Sequence, residues 1–202
     1  MPRRLLLGGA AAGVVGVAGG APAGAVDAAG AVDALRGQGY AVATAQRRAL
    51  AIASAVFVGD LIGTLADSTM GLTLGTATQI RLGPEARLTI DRFILKAGGV
   101  LVLENGGMLV DHDTAAGGID LKVRSRFGLI AIRGTRFFAG PSNGAFGVFV
   151  QRGAVDVEGG SARVRLEAGM GTSIAAPGAA PGAAAVWSAA RIAAALALVG
   201  AG

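Results

Sequence analysis

The sequence predicts an all-β protein with a short C-terminal helix. Residues 120–127 (DLKVRSRF) place Leu121, Val123 and Phe127 on one face and charged side chains on the other, and this period of two is typical of a half-buried strand. Short apolar runs recur between residues 31 and 174, where glycines separate them. Aromatic residues make up only 4% of the chain, so the core must be aliphatic and its layers narrow. We therefore expect a compact, tightly wound β-roll or β-helix.

Three further segments in the second half of the body have strand character. Residues 146–150 form a nearly continuous apolar run, and residues 154–158 and 162–167 alternate. Gly159 and Gly160 separate the last two segments, which predicts a β-hairpin.

The first half of the body repeats the pattern. Residues 72–74, 79–82 and 87–90 are short apolar runs at intervals of about eight residues, separated by glycine-containing turns. Residues 104–107 (ENGG) form another turn signal between two apolar runs.

The N-terminus is expected to be a secretory signal over residues 1–25. Arg3 and Arg4 precede an apolar block at residues 5–18, and small residues follow it. The paired arginines indicate the twin-arginine export route. The alternative is an uncleaved membrane anchor, although the block is shorter than the roughly 20 residues that a spanning helix needs.

The remaining boundaries follow changes in composition. The β domain is expected at residues 31–175, a Pro/Gly/Ala linker at 176–185, and a helix at 186–199 without internal Gly or Pro. We expect this helix to dock on the β body; a membrane-surface or partner helix is the alternative, poorly supported because Arg191 is its only charge.

Composition excludes several kinds of chemistry. The chain has no Cys, which excludes disulfides, thiolate metal sites and cysteine nucleophiles, and its single His excludes a multi-histidine metal site. In a strand, Asp111 and Asp113 would share a face while His112 points away; in a loop, the three residues could bind a divalent ion weakly. We therefore expect no catalytic residue, no metal and no cofactor. Exposed stacking aromatics are scarce, so nucleic acid is not an expected partner either.

Five blocks in order resemble FecR domains. They are residues 56–64 (VFVGDLIGT), 80–91 (IRLGPEARLTID), 127–137 (FGLIAIRGTRF), 148–155 (VFVQRGAV) and 166–169 (LEAG). Each block is weak alone, but together they are specific. The sequence departs from the family pattern at Leu74-Gly75-Thr76, which lacks an Asp, and at Arg126, where Pro is usual.

The resemblance implies a periplasmic or cell-surface β domain of a Gram-negative bacterium. In the family's regulators this domain receives a signal from a TonB-dependent outer-membrane transducer, and a membrane helix passes it to a cytoplasmic anti-sigma segment. Here only residues 1–4 precede the apolar block, so we expect an exported, stand-alone member. A membrane-tethered regulator and an envelope structural or glycan-binding protein are the alternatives.

The family motifs carry residues for which we expect structural roles. Gly134 suits a turned backbone, Thr135 can bond locally to it, and Arg133 can reach carbonyl groups or Asp91. Asp60 is expected to fix a turn with its side-chain oxygen. The full set of motif residues is Gly59, Asp60, Gly83, Pro84, Asp91, Gly128, Arg133, Gly134, Thr135, Phe137, Gly153 and Gly169.

One group of cations is a candidate partner-facing surface. Lys122, Arg124, Arg126 and Arg136 are expected to form a basic stripe that suits an anionic partner. The alternative is an ordinary solvated strand face. The sequence therefore predicts a non-enzymatic, exported binding or signalling module that recognises a protein partner by a strand edge or a sheet face.

Overall fold

The computed structural model describes residues 28–94, 98–113 and 120–201. The expected signal segment, residues 1–25, lies outside this range. The described residues form strands throughout, followed by one short C-terminal helix, which confirms the predicted all-β architecture. In this part of the chain, no helix is long and apolar enough to cross a membrane.

Sixteen strands are present among the described residues. They are β1 (Ala28–Arg36), β2 (Gly39–Ala43), β3 (Gln46–Leu50), β4 (Ala55–Phe57), β5 (Leu61–Thr64), β6 (Thr69–Leu74), β7 (Thr78–Leu82), β8 (Arg87–Ile94), β9 (Gly98–Asn105), β10 (Met108–His112), β11 (Asp120–Ser125), β12 (Gly128–Ser142), β13 (Ala145–Gly159), β14 (Ala162–Glu167), β15 (Met170–Ile174) and β16 (Ala185–Val186).

The sixteen described strands pair in one continuous sheet, which we divide at β12 into two layers. Layer 1 has the order β3-β2-β5-β8-β9-β11, and layer 2 has the order β4-β1-β6-β7-β10. The chain winds back and forth between them, because β4, β6 and β7 belong to layer 2 whereas β5, β8 and β9 belong to layer 1. Pairing between described strands is antiparallel except for β9 with β11.

A long hairpin, β12–β13, belongs to both layers. Its open end, with β12 residues 128–132, pairs with β11 and extends layer 1 to β14. Its closed end, with β12 residues 136–142, pairs with β10 and extends layer 2 to β15 and β16. The register shifts between Arg133 and Phe137, where the hairpin passes from one layer to the other.

Two glycines allow this passage. Gly134 and Gly153 have φ of 63° and 82°, a backbone conformation that disfavours residues with a Cβ. A Cβ on Gly153 would also lie 2.6 Å from the carbonyl oxygen of Gly134. The hairpin can therefore change layers here, and regular pairing continues on both sides of the register shift.

The main core lies between the inner faces of the two layers. Leu88, Leu101 and Val123 from layer 1 pack in one cluster with Ile80 and Val110 from layer 2. Aliphatic side chains dominate this cluster, as the scarcity of aromatic residues predicted.

A second, aromatic cluster lies on the outer face of layer 2. Phe138 and Phe149 alternate with inward-facing neighbours and contact Trp187, whose ring stacks on Phe149 at 5.2 Å. The helix α1 (Ala189–Leu198) covers this cluster with Ala195 and flanking Val199.

The helix is shorter than the predicted range of 186–199. Val186 pairs in β16 and is 79% exposed, and Ser188 caps the helix by accepting a hydrogen bond from the Arg191 backbone N–H. The Arg191 side chain then donates to Ser142 and Ser173 at 2.9 and 2.8 Å. Because Val186 pairs in a strand and Ser188 caps the helix, the first helical turn begins only at Ala189.

The 176–185 segment packs along the body. Pro181 is buried, and Gly182 exchanges hydrogen bonds with β15 at Thr172 and Ser173. This segment contains little regular structure apart from the start of β16, but it is held in place over much of its length.

The predicted turns are present, but they do not all join neighbouring strands of a hairpin. The β13–β14 hairpin turns at Gly159 and Gly160, as predicted. Residues 146–150 and 154–158 belong to the single long strand β13, which continues through Gly153. The turn at 104–107 joins β9 of layer 1 to β10 of layer 2 and does not close a hairpin.

Candidate functional site

The outer face of layer 1 is open. Lys122 and Arg124 are exposed on β11 and point away from the core, as the alternation predicted. Their cross-strand neighbours on β9 are Val100 and Val102, which give this face an apolar base. No helix covers this face in the described part of the chain.

The cations on β11 have no acidic partner. Neither Lys122 nor Arg124 forms an ion pair with any described residue. Two strands away, Arg92 on β8 faces Val100 and is likewise exposed without an ion pair within the described ranges.

Two acidic residues of the same face, Asp156 and Glu158, are already paired, whereas Asp120 and Glu167 are exposed there and form no ion pair with any described residue. Asp156 accepts an ion pair from Arg163 at 2.9 Å and lies 3.8 Å from Arg165, and Glu158 lies 3.2 Å from Arg163. Leu129 and Ala131 on β12 separate this paired region from β11. Asp156 and Glu158 therefore do not neutralise the positive charge of Lys122 and Arg124 across the sheet.

A groove of about 460 Å³ opens where β11 ends. Its floor includes Phe127 and Phe146, whose rings stack at 4.5 Å with an interplanar angle of 10°. Arg126 and Glu104 contribute to its lining. We call this cavity the end groove.

The two charged residues of the end groove differ in their partners. The Arg126 guanidinium lies 4.9 Å from the centre of the Phe127 ring and is exposed. Glu104 instead pairs with Arg87 at 3.3 Å and accepts a hydrogen bond from Thr89. Of the two charged residues, Arg126 is therefore the one that forms no ion pair with a described residue.

The fourth predicted cation, Arg136, does not join this surface. It lies where the β12–β13 hairpin enters layer 2 and donates to Asp111 at 3.0 Å and to Gln151 at 2.8 Å. Arg152 also donates to Asp111, at 2.7 Å. The structure therefore brings Lys122, Arg124 and Arg126 together and places Arg136 in a separate, ion-paired network.

Comparison with known proteins assigns this architecture to a family. Residues 60–156 match the family model described as FecR protein. The protein contains a FecR domain. This match runs from Asp60 through most of β13, and the FecR resemblance of the sequence is thus confirmed.

Solved structures share the fold of this FecR domain. Two crystal structures of a candidate anti-sigma factor from Parabacteroides distasonis, at 1.65 and 2.50 Å resolution, give TM-scores of 0.56 and 0.55 at 15% identity. The similar region covers 66% of this chain but only 63% and 62% of theirs, less than two thirds. A comparison with curated proteins gives no match.

Asp60 of the FecR motif is buried and holds the edges of both layers. It is 1% exposed, accepts a hydrogen bond from the Phe57 backbone N–H at 2.9 Å and pairs with Arg48. Arg48 on β3 of layer 1 also donates to the Ala55 carbonyl on β4 of layer 2 at 3.0 Å. Gly59 precedes Asp60 with φ of 91°. The expected turn role of Asp60 is thus combined with an ion pair between layers, which the sequence analysis missed.

Other motif glycines allow close backbone approach. Gly83 lies against the C-terminal end of α1, since a Cβ there would be 2.7 Å from the Leu198 carbonyl oxygen. Pro84 follows, half-buried, in the turn before β8. A Cβ on Gly128 would collide with the Glu158 carbonyl oxygen. Gly169, in the β14–β15 turn, has φ of 84° and donates its N–H to the Val150 carbonyl oxygen on β13.

The Arg-Gly-Thr motif lies where the β12–β13 hairpin changes layers. Phe137 is fully buried in the main core. The side chain of Arg133 is outside the described set, so its reach to the exposed Asp91 stays a prediction. Thr135 is fully buried, but its hydroxyl has no hydrogen-bond partner among the described residues, so the expected local bond is not formed. The register shift in the hairpin there disrupts regular pairing.

His112 is a buried residue of layer 2. Its Nδ1 lies 3.0 Å from the Thr78 hydroxyl, and its side chain is fully buried. Burial lowers its pKa below 6.5, although the charges of Asp113 and Asp111 oppose this shift. Within the described ranges, no group of three or more His, Asp or Glu residues is arranged to hold a metal ion.

Proposed function

We propose that this FecR-domain protein is a non-enzymatic, exported signalling module that recognises a protein partner in the periplasm. The family match and the shared fold support a role in signalling regulation. An envelope protein such as a TonB-dependent transducer is the kind of partner that the family resemblance implies.

One observation carries this proposal. The outer face of layer 1 is open, and it presents Lys122 and Arg124 without acidic partners in the described structure, next to the end groove. Unpaired surface cations raise the association rate and the selectivity of a complex with an acidic surface. The helix α1 already covers the aromatic part of the outer face of layer 2, which favours layer 1 as the partner-binding side.

The buried state of His112 supports a non-enzymatic role. Its ring lies inside the β body, where Nδ1 faces the Thr78 hydroxyl. A general base must reach the proton of a bound substrate, which this position does not allow.

Site-specific cross-linking tests partner recognition. Because the chain has no native cysteine, Lys122→Cys supplies a unique attachment point for a photoreactive label. Ala193→Cys, on the exposed side of α1, is the matched control. We expect the Lys122 position, and not the Ala193 position, to cross-link to one envelope protein when the labelled full-length protein is added to permeabilised cells. Equal cross-linking from both positions would contradict the proposal.

Sequencing the N-terminus of the mature protein tests export. A start close to residue 26, in protein recovered from the periplasmic fraction, is expected. An intact N-terminus in the membrane fraction would instead indicate the tethered regulator.

A further inference from the structure

Three cations that form no ion pair with any described residue make a line that leads into the end groove. Lys122 and Arg124 occupy alternate positions of β11, and Arg126 follows in the next turn. Alternate residues of a strand are about 6.6 Å apart, which sets the spacing of Lys122 and Arg124, and Arg126 continues the line from the turn. Arg126 ends the line and also lines the groove. We call these three residues the cation track.

The end groove differs chemically from the track. Phe127, Phe146 and Leu103 line it, together with Pro141 and Pro177. Its volume of about 460 Å³ lies within the range of about 300–1,000 Å³ that small-molecule and side-chain pockets occupy. A concave apolar site of this size suits an inserted side chain.

We propose that the partner presents an extended acidic segment followed by an apolar anchor residue. Carboxylates at alternate positions of the segment bind the cation track, and the anchor side chain enters the end groove. This inference rests on the proposed function, because it specifies the partner's contact segment.

Spacing and charge both favour this occupant. The side chains on one side of an extended peptide repeat at about the same distance as those of β11, so that alternate carboxylates match the track. The groove is lined mainly by apolar side chains, which disfavour a buried carboxylate and favour the apolar anchor, and this sets the direction of the segment. A flat anionic membrane would meet the track but would leave the concave groove unused.

Peptide binding to the full-length protein tests the inference. The probe is a fluorescein-labelled peptide with Asp at three alternate positions, Ser between them, and a C-terminal Leu-Phe. One control peptide has Asn in place of Asp, and the other has Ser in place of Leu and Phe. We expect saturable binding of the probe that weakens as NaCl is raised, and at least tenfold weaker binding of both control peptides, or roughly 1.4 kcal/mol.

Matched variants locate the binding site. Lys122→Gln with Arg124→Gln is expected to weaken probe binding about tenfold. Arg163→Gln with Arg165→Gln removes the same charge from β14 of the same face and is expected to change binding less than about twofold. For the groove, Ala176→Glu should weaken binding while Ala176→Gln, of nearly equal size, should not, because Ala176 is exposed in the groove lining.

Several results would overturn the inference. They are equal losses in the two double variants, no effect of Ala176→Glu, or track-dependent binding of phosphatidylglycerol vesicles without peptide binding. If Lys122→Cys cross-links to an envelope protein but the peptide does not bind, the contact chemistry is wrong while the proposed function stands. If the peptide binds but cross-linking finds no partner, the proposed function fails instead.

Discussion

The β12–β13 hairpin contributes to both outer faces of the β body, yet its two ends differ in polarity and in whether a helix covers them. At one end of β12, Leu129 and Ala131 point outward between charged strands and stay partly exposed. At the other end, Phe138 points outward into an aromatic cluster with Phe149 and Trp187. The helix α1 covers only the second of these faces.

This difference indicates which face is structural and which is free to bind. An uncovered patch with Phe138 and Phe149 would expose a large apolar surface, so the helix is needed for stability and solubility. The outer face of layer 1 is charged enough to remain in water, and it therefore needs no cover. The one described helix of the chain therefore packs on layer 2.

The largest expected effect comes from comparing two positions on β12. Phe138→Ala should lower the free energy of unfolding by about 3–5 kcal/mol, because Phe138 is fully buried beneath the helix. Leu129→Ala, on the open face, should cost about 1 kcal/mol or less. Urea denaturation followed by circular dichroism measures both. Equal costs would mean that the two faces are not distinct.

A second substitution tests how the layers are held together at the opposite edge. Arg48→Gln leaves the buried Asp60 carboxylate without its cation and should cost about 2–3 kcal/mol. Adding Asp60→Asn to Arg48→Gln should recover part of that loss, because the buried charge is then removed. If the double variant is less stable than the single one by the full cost of Asp60→Asn, the pair is not coupled.

A third, smaller effect tests helix docking directly. Gly83→Ala places a methyl group 2.7 Å from the Leu198 carbonyl oxygen and should displace α1 at a cost of about 1–2 kcal/mol. We expect the fluorescence of Trp187, the only Trp, to shift to longer wavelength. Gly182→Ala, whose new methyl group would meet its nearest atom at an ordinary 3.4 Å, should leave stability and fluorescence unchanged.

The smallest effect is a pH dependence that arises inside layer 2. Burial lowers the pKa of His112 in the folded protein below its unfolded value of 6.5, so protons bind the unfolded chain more readily. The free energy of unfolding should therefore fall as pH drops from about 7 through the unfolded pKa towards the folded one. Because His112 is the only histidine, His112→Gln should flatten the dependence in this range. If His112→Gln left the pH dependence of the free energy of unfolding unchanged, another titratable group would be its cause.

The sequence predicted the strands better than their arrangement. The alternation at 120–127 and 162–167 and the glycine pair at 159–160 correspond to β11, β14 and the hairpin between β13 and β14. Alternation shows that a strand has one buried face, but it does not tell which of two layers the strand joins. The passage of β12–β13 between layers therefore could not be predicted.

The candidate site was predicted in part for similar reasons. Lys122 and Arg124 lie on the charged side of an alternating strand, which the pattern shows directly. Arg136 shares the residue type but lies opposite Asp111, a neighbour that only the strand register reveals. Arg48 escaped notice because no motif connects it with Asp60. The nearly continuous apolar run at 146–150 did carry a usable signal, since it implies that both faces of the strand are covered.

The glycine-hinged hairpin β12–β13 has a consequence for how the molecule comes apart. Since its two ends are hydrogen-bonded into different layers, neither layer can open fully without pulling on the strands of the other. Slow amide hydrogen exchange should thus spread along the whole of β12 and β13, with a common opening free energy at both ends. A disturbance at the charged face would then be transmitted to the residues beneath the helix through the continuous backbone of the hairpin.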